Sequence, residues 1–420
     1  AGRKGISPFV VLGTAAGPDE QLQAARQFGQ QFIVPDDQMF KHQPPRDKGR
    51  IRVGYMSADY YQHATAYLMA ELFERHDRAR FEITAYSYSP DDKSALRARL
   101  EKGFDRFIDI RRLPHHAAAQ KIYDDKIDIL IDLKGYTGEG RVPIAAYRPA
   151  PVQVNYLGYP GTLGLPFFDY IIGDGFITPM EHQAFYSEKI VQLPQCYQPN
   201  DTHREIAMAT PTRQACGLPD NAFVFCSFNS PYKITPAVFD VWMRLLKAVS
   251  GSVLWIFEGN TLVKGNLQRA AADRGVDPAR LVFAPGLLLP EHLARHALAD
   301  LFLDTMPINA HTTASDSLWA GLPLLTCAGN SFVSRVAGSL LKAAHLPQFI
   351  AADLADYEAK ALHWAQHPDA LKSVRRDLWN SRLTLPLFDI GRFVKDIESA
   401  YDTMWGTWQK GQVPQAFAVK

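Results

Sequence analysis

The residues that could do chemistry gather in polar clusters, each directly behind an apolar strand candidate. In residues 309–326, NAHTTASDSLWAGLPLLT, the step His311-Thr312-Thr313 follows the apolar run 299–303 and Asp304. Ser317-Leu318-Trp319-Ala320 reads as the first turns of a helix, which Gly321-Leu322-Pro323 stops. A threonine pair at a helix start leaves backbone N–H groups unpaired and aimed at one spot, and the helix dipole adds to their pull on an anion. Asp316, one turn further on, can reach sugar hydroxyls on whatever carries the phosphate. Taken alone, the segment reads first as an ordinary capped helix.

Further clusters repeat this placement. SADYYQHAT, residues 57–65, puts His63 just before a helix, where an imidazole serves as general base, phosphate ligand or helix-start donor. A single histidine is more often structural. DLKGYT, residues 132–137, and LGYPGT, residues 157–162, bring small residues that permit close backbone approach to a ligand, or simply make two tight turns. SFNSPYKI, residues 227–234, carries Lys233, a point charge suited to a departing pyrophosphate, although loop lysines are commonly just solvated. In PEHLAR, His292 and Arg295 are three apart and share one helix face.

The elements that must position these groups alternate. Residues 51–56, 81–88, 107–110 and 127–133 read as strands; 64–76, 92–104 and 117–125 read as helices. A polar, proline-bearing stretch at 197–212 predicts a linker, after which the alternation restarts. Strands are expected at 223–228, 252–257, 281–283, 301–303 and 323–326, with helices at 236–249, 262–275 and 290–299. Such alternation means βαβ units and parallel sheets covered on both faces. Two parallel α/β domains joined near residue 205 would bind ligands in a cleft at the carboxyl ends of their strands. Residues 1–48 form a helical lead-in, with helical spacing from Asp19 to Phe32 and a polar stop at HQPPRDKGR. No internal repeat or low-complexity tract is present.

Composition narrows the class. At 420 residues, with 47% hydrophobic and 21% charged side chains, the chain is long enough for two globular domains. A net charge of +1 argues against nonspecific binding to nucleic acid or anionic membranes. Cys196, Cys216, Cys226 and Cys327 form no CxxC pair and read as reduced thiols of a cytoplasmic protein. No apolar run has membrane-spanning length, and no signal-peptide pattern opens the chain, which lacks an initiator Met. Walker A, GxGxxG and HExxH patterns are absent, and His115-His116 lacks partners at ligand spacing, so an ATPase, a dinucleotide enzyme and a metal site are not expected. There is also no DxD triplet to clamp a metal–diphosphate. A bound diphosphate must then be neutralised by Thr312 and Thr313 amides, Lys233 and His63, which fits a two-domain nucleotide-sugar transferase.

RIRVGYMSADYYQHATAYL, ILIDLKGYT, RPAPVQVNYLGYPGT, DYIIGD, SFNSPYKI, LFLDTMPINAHTTASDSLWAGLPLLT and SRVAGSLL resemble the catalytic region of the O-linked N-acetylglucosamine transferases, from about residue 50 to the C-terminus. Bacterial members look closest, because the long insert between the lobes of animal enzymes is missing. The resemblance implies an α/β GT-B fold: a Rossmann-like acceptor-side lobe at 49–205, a nucleotide-sugar lobe at 206–378 and a C-terminal helical segment at 379–420. Residues 1–48 would be the tail of a tetratricopeptide array. It further implies inverting transfer from UDP-N-acetylglucosamine to serine or threonine hydroxyls of proteins, without a metal or other cofactor. His63 would lie at the reaction centre, as base or beside a proton relay through phosphate or water, and Lys233 would stabilise departing UDP. Tyr232, Leu157, Gly158 and Pro160 would line the sugar with His311 and Thr312. Thr313 would hold the pyrophosphate, and His292, Arg295 and Asp316 would approach the nucleoside.

The chain departs from animal members at Leu289 (a lysine there), Ser230 (a glutamine), Asp128 (a histidine) and Glu258-Gly259 (a basic–aromatic pair). These positions bear on nucleotide and sugar choice. Transfer from GDP-fucose or UDP-glucose, and a low-turnover nucleotide-sugar-binding module, are the alternatives.

Overall fold

A run as apolar as Ile129–Asp132, every residue of it buried, is stable only as a strand covered on both faces. The computed structural model, which describes residues 5–44 and 49–420, is built by repeating that arrangement. The chain start at 1–4 and the polar stop at 45–48 lie outside the described residues.

After α1 (Pro8–Val11) and α2 (Pro18–Gly29) come β1 (Ile51–Ser57), α3 (Ala64–Arg75), β2 (Phe81–Ser87), α4 (Ala95–Lys102), β3 (Arg106–Asp109), α5 (His115–Asp124), β4 (Ile129–Asp132), α6 (Pro143–Ala146), β5 (Val152–Asn155), β6 (Tyr170–Asp174) and β7 (Lys189–Leu193). The path continues through β8 (Val224–Ser227), α7 (Pro236–Ala248), β9 (Val253–Phe257), α8 (Thr261–Asp273), β10 (Leu281–Ala284), α9 (Leu289–Arg295), β11 (Leu301–Leu303), α10 (Thr312–Trp319), β12 (Leu324–Cys327), α11 (Val336–Ala343) and β13 (Ile350–Ala351). It closes with α12 (Leu354–Gln366), α13 (Pro368–Ser381), α14 (Ile390–Gln409) and β14 (Phe417–Ala418).

The chain forms two units, one of Ala1–Thr202 with Pro386–Lys420, the other of His203–Leu385. In the first, an eight-stranded parallel sheet runs in the order β14-β7-β6-β5-β4-β1-β2-β3. β1 is central: Val53 lies opposite Ile83 of β2 and Ile129 of β4. Met56, Ile122, Ile127 and Leu130 pack together in its core. The C-terminal helix α14 belongs to this unit. Tyr401 shares a 2.8 Å hydroxyl contact with Tyr55, and Glu398 accepts from the Asp77 amide at 2.8 Å. β14 then extends the sheet beside β7. At the other end of the chain, α2 packs Phe28 edge-on against Tyr136, 5.2 Å between ring centroids.

In the second unit a six-stranded parallel sheet runs β10-β9-β8-β11-β12-β13. Both sheets therefore share a layout in which an early strand (β1 or β8) lies between the strand that follows it and one reached by crossing over (β4 or β11). Connections leave such a strand pair in opposite directions, opening a crevice at the carboxyl ends where ligands bind.

The structure adds to the expected elements and shifts some of them. β5, β6, β7, β13 and β14 were not expected as strands. The helix expected to begin at Ser317 begins at Thr312, so Ser317–Trp319 is its last turn. The helix expected at 290–299 tightens into a 3₁₀ turn after Arg295. The expected linker is interior at its start. Asn200 donates to Leu387 O at 3.0 Å, Asp201 accepts from Arg99 at 2.5 Å, and Arg204 is buried. Its polar composition thus reflects paired interior groups at Asn200, Asp201 and Arg204, and solvated ones from Glu205 onward. Among the described residues no helix is long and apolar enough to cross a membrane.

Candidate functional site

In the first unit, β1 ends at Ser57 and hands the chain to a loop that stops at His63, the cap of α3. His63 Nδ1 accepts the Thr65 amide at 3.2 Å, satisfying one of the donors a helix start leaves over. Asp59 lies below it, with Oδ2 3.5 Å from the same Nδ1. From the loop after β4, Lys134 Nζ donates to both oxygens of Asp59, at 3.0 and 2.9 Å. Asp59 and Lys134 are only 4% and 6% exposed, so the pair is an interior one. Burial lowers the His63 pKa, Asp59 opposes that and Lys134 reinforces it.

Asp132 closes β4 and organises the next turn by accepting the Lys134 and Gly135 amides at 2.9 and 3.3 Å. Burial pushes its carboxyl up to about 6 against those hydrogen bonds. The loop after β5 then approaches β4 closely. A Cβ on Gly158 would stand 1.9 Å from Leu133 O, which requires glycine there. Leu157 before it adopts φ 67°, and Pro160 is buried. His63, Asp59, Lys134, Leu157, Gly158 and Pro160 are thus on loops at the carboxyl ends of β1, β4 and β5.

In the second unit the equivalent loops follow β8 and β11. Asn229 joins them: its Nδ2 donates to Asp304 Oδ1 at 3.1 Å and to Thr305 Oγ1 at 3.0 Å, and its Oδ1 accepts Thr313 Oγ1 at 2.7 Å. Lys233 reaches over from the same β8 loop and donates to Asn309 O at 2.8 Å. Burial brings its amine down to about 8, opposed by the charge of Asp304. Asp304 is itself raised by burial to about 6 and spends its oxygens on Thr326 Oγ1 and the Thr305 and Ala310 amides.

The start of α10 has no side-chain cap. His311 occupies the cap position, and its carbonyl accepts the Ala314 and Ser315 amides, each at 3.1 Å. The Thr313 hydroxyl is turned to Asn229 instead of closing the helix end. The expected alternative of an ordinary capped helix is therefore not what forms. Burial and nearby Lys233 bring the His311 imidazole down to about 3, so it is neutral at physiological pH. Tyr232, next to Lys233, is exposed.

The remaining expected residues lie on α9 and further along α10 of the same unit, His292 with its ring 5.3 Å from that of Phe228 beside Asn229. His292 and Arg295 share a face of α9, with Arg295 Nη2 donating to His292 Nδ1 at 2.5 Å and Nη1 to Pro285 O at 2.7 Å. The Arg295 guanidinium lies 4.6 Å from the Phe228 ring centroid. Burial, His296 and Arg295 together bring His292 down to about 2. Asp316 is buried on α10 and bound by Arg204 Nη1 at 2.7 Å, while Trp319 Nε1 donates to Arg204 O at 3.1 Å. Sequence reading named the segments holding Asp59, Lys134, Asn229 and Asp304 but gave those residues no role; Arg204 was taken for linker. Their signal is positional: each except Arg204 lies within a few residues of a strand's carboxyl end.

Comparison with known proteins gives a consistent result. A family model described as glycosyl transferase family 41 matches residues 31–210 and 200–397. Over 376 residues the chain is 39% identical to a probable UDP-N-acetylglucosamine–peptide N-acetylglucosaminyltransferase, SEC, of Arabidopsis thaliana, spanning 88% of this chain and 38% of that protein. The UDP-N-acetylglucosamine–peptide N-acetylglucosaminyltransferase of Caenorhabditis elegans is 30% identical, across 86% of this chain and 41% of that one. The chain thus spans about two fifths of the length of these curated relatives. Among solved structures, a mutant of the Thermobaculum terrenum O-GlcNAc transferase matches with a TM-score of 0.87 at 29% identity, covering 96% of this chain and 77% of that one.

Proposed function

We propose a function from one premise: the chain belongs to glycosyl transferase family 41, and it has the α/β GT-B fold of two parallel-sheet units. The reaction is transfer of N-acetylglucosamine from UDP-N-acetylglucosamine to serine or threonine hydroxyls of a protein or peptide. It proceeds with inversion and without a metal or other cofactor. The relatives named above are peptide N-acetylglucosaminyltransferases by name, which supports donor and acceptor class.

The carrying observation is the uncapped start of α10 with Lys233 on the facing loop of the same crevice. As the sugar–phosphate bond breaks, negative charge grows on the UDP oxygen. Helix-start amides and an ammonium stabilise that charge where it develops, which is the most effective use of binding energy. With Lys233 and the Thr312 and Thr313 amides supplying the neutralisation, no metal–diphosphate clamp is needed. Inversion follows from a single displacement, the acceptor hydroxyl attacking the anomeric carbon opposite the departing UDP. In this assignment His63 is at the reaction centre, and Leu157, Gly158, Pro160, Tyr232, His311 and Thr312 line the sugar. Thr313 holds the pyrophosphate. His292 presents its free Nε2–H to the nucleoside, while Arg295 fixes that ring and Asp316 anchors α10 through Arg204.

Donor hydrolysis and peptide transfer measured with UDP-N-acetylglucosamine, UDP-glucose and GDP-fucose test the reading. UDP-N-acetylglucosamine should turn over fastest, with no loss in a chelator. Tighter binding of GDP than UDP would sink the donor assignment, and inhibition by EDTA would sink the metal-free one.

A further inference from the structure

His63 and Asp59 have the makings of a histidine–carboxylate dyad, in which the carboxylate holds a proton on Nδ1 and frees Nε2 to act as base. The local hydrogen bonds run the other way. His63 Nδ1 accepts from the Thr65 amide at 3.2 Å, so the neutral ring carries its proton on Nε2. Asp59 Oδ2 is near, at 3.5 Å, but both Asp59 oxygens are engaged by Lys134 at 3.0 and 2.9 Å, and Thr65 Oγ1 also donates to Oδ2 at 3.3 Å. The charged groups bearing on the imidazole are these two, Asp59 drawing a proton to it and Lys134 resisting.

We propose that Lys134 is a positioning residue: by claiming both oxygens of Asp59 it uncouples the dyad and fixes His63 as a neutral imidazole with Nε2–H pointing outward. His63 is then a hydrogen-bond donor to substrate, and as the acceptor oxygen bonds to the anomeric carbon and UDP departs, the hydroxyl's proton passes to a phosphate oxygen of the departing UDP, directly or through water. The inference about substrate rests on the transferase reading; the tautomer itself does not. Replacing Lys134 with an apolar residue should release Asp59 to hold a proton on Nδ1, turning the ring into a stronger base.

The test is nitrogen-15 NMR of the full chain labelled at histidine, with the His63 signals assigned from His63→Gln. In the unsubstituted protein at neutral pH, His63 should show a protonated Nε2 and a bare Nδ1. Lys134→Met should move the proton to Nδ1 and raise the titration midpoint by about one pH unit or more, the size of effect an uncompensated neighbouring carboxylate exerts. Lys134→Arg, and Asp59→Asn combined with Lys134→Met, should both keep the original tautomer. A proton on Nδ1 in the unsubstituted protein overturns the proposal, as does a Lys134→Met variant that titrates unchanged. If Lys134→Met alone does not fold, the other two variants decide, since a proton on Nδ1 in either one overturns it. In kinetics, an acid limb of the transfer rate that follows the His63 midpoint should appear in Lys134→Met, where the ring becomes a base, and not in the unsubstituted protein, while the KM for donor stays constant. Should no nucleotide sugar turn over while the tautomers behave as stated, the functional reading fails and the role of Lys134 stands.

Discussion

The crevices at the ends of β1/β4 and β8/β11 are built on the same plan, yet each uses its lysine differently. Each crossing strand ends in, or is followed directly by, a buried aspartate, Asp132 or Asp304, that accepts amides from the next turn and is raised to about 6. Each crevice has a loop lysine reaching across to the other loop. Lys134 meets a carboxylate on both oxygens; Lys233 meets only the carbonyl of Asn309. A lysine whose charge is matched inside the protein is a strut. One that is left with a neutral partner, at a helix end whose amides are also uncapped, retains its attraction for an anion. Sheet topology thus places a lysine at each crevice, and the partner across from it decides what that lysine is for.

The sharpest way to break this comparison is to remove each ammonium and read both activity and stability. Lys233→Ala should lower kcat by roughly 10²–10³, as expected for loss of a preorganised charge-stabilising donor. Its stability should change by no more than about 1 kcal/mol, the worth of an ordinary hydrogen bond. Lys134→Met should do the reverse in emphasis, destabilising its unit by about 3–5 kcal/mol because Asp59 loses the ammonium that neutralises its buried charge, for which a neutral His63 N–H is only a partial substitute. Denaturant titration checks both. Equal stability losses in the two variants would mean that the two lysines are not distinguished by their partners.

A smaller effect tests the helix end. Thr313→Val removes the 2.7 Å hydrogen bond to Asn229 and one polar group beside the amides. UDP affinity should fall by about 1 kcal/mol, roughly fivefold, by titration calorimetry. Unchanged affinity would make the start of α10 a scaffold only.

How much of this was legible in the sequence depends on whether the information is local. β4 could be read because an unbroken apolar run has one stable environment. β5, β6 and β7 could not, because no long helix separates them and the alternation rule lapses. The start of α10 was misplaced because Ser315, Asp316 and Ser317 are buried although polar, the last two satisfied by Arg204 and by Leu322 O. Periodicity of apolar residues does not register such positions. His63 and Lys233 stood out by type and by location behind strands. The Asp59–Lys134 pair did not, since its members are 75 residues apart and only strand order brings them together. Chemistry that resides in one side chain survives in the sequence; chemistry that resides in a pairing needs the fold.

The finest distinction concerns Asp304, the carboxylate nearest in effect to Lys233. The lysine must be cationic to stabilise departing UDP, and its pKa of about 8 in the free protein predicts that kcat/KM falls as pH rises through that value. Bound diphosphate favours the charged amine, so the limb in kcat should lie at higher pH. Asp304→Asn tests the assignment with little disturbance of shape. Its remaining oxygen can keep accepting from Asn229, Thr305 and Ala310, and the new amide can donate to Thr326 Oγ1 in place of the present bond in the other direction. What is lost is the charge that raises the lysine's pKa, so the alkaline limb of kcat/KM should move to lower pH while the fold is retained. A limb that does not move would show that some other group titrates there. The two crevices would then differ in structure without differing in electrostatics.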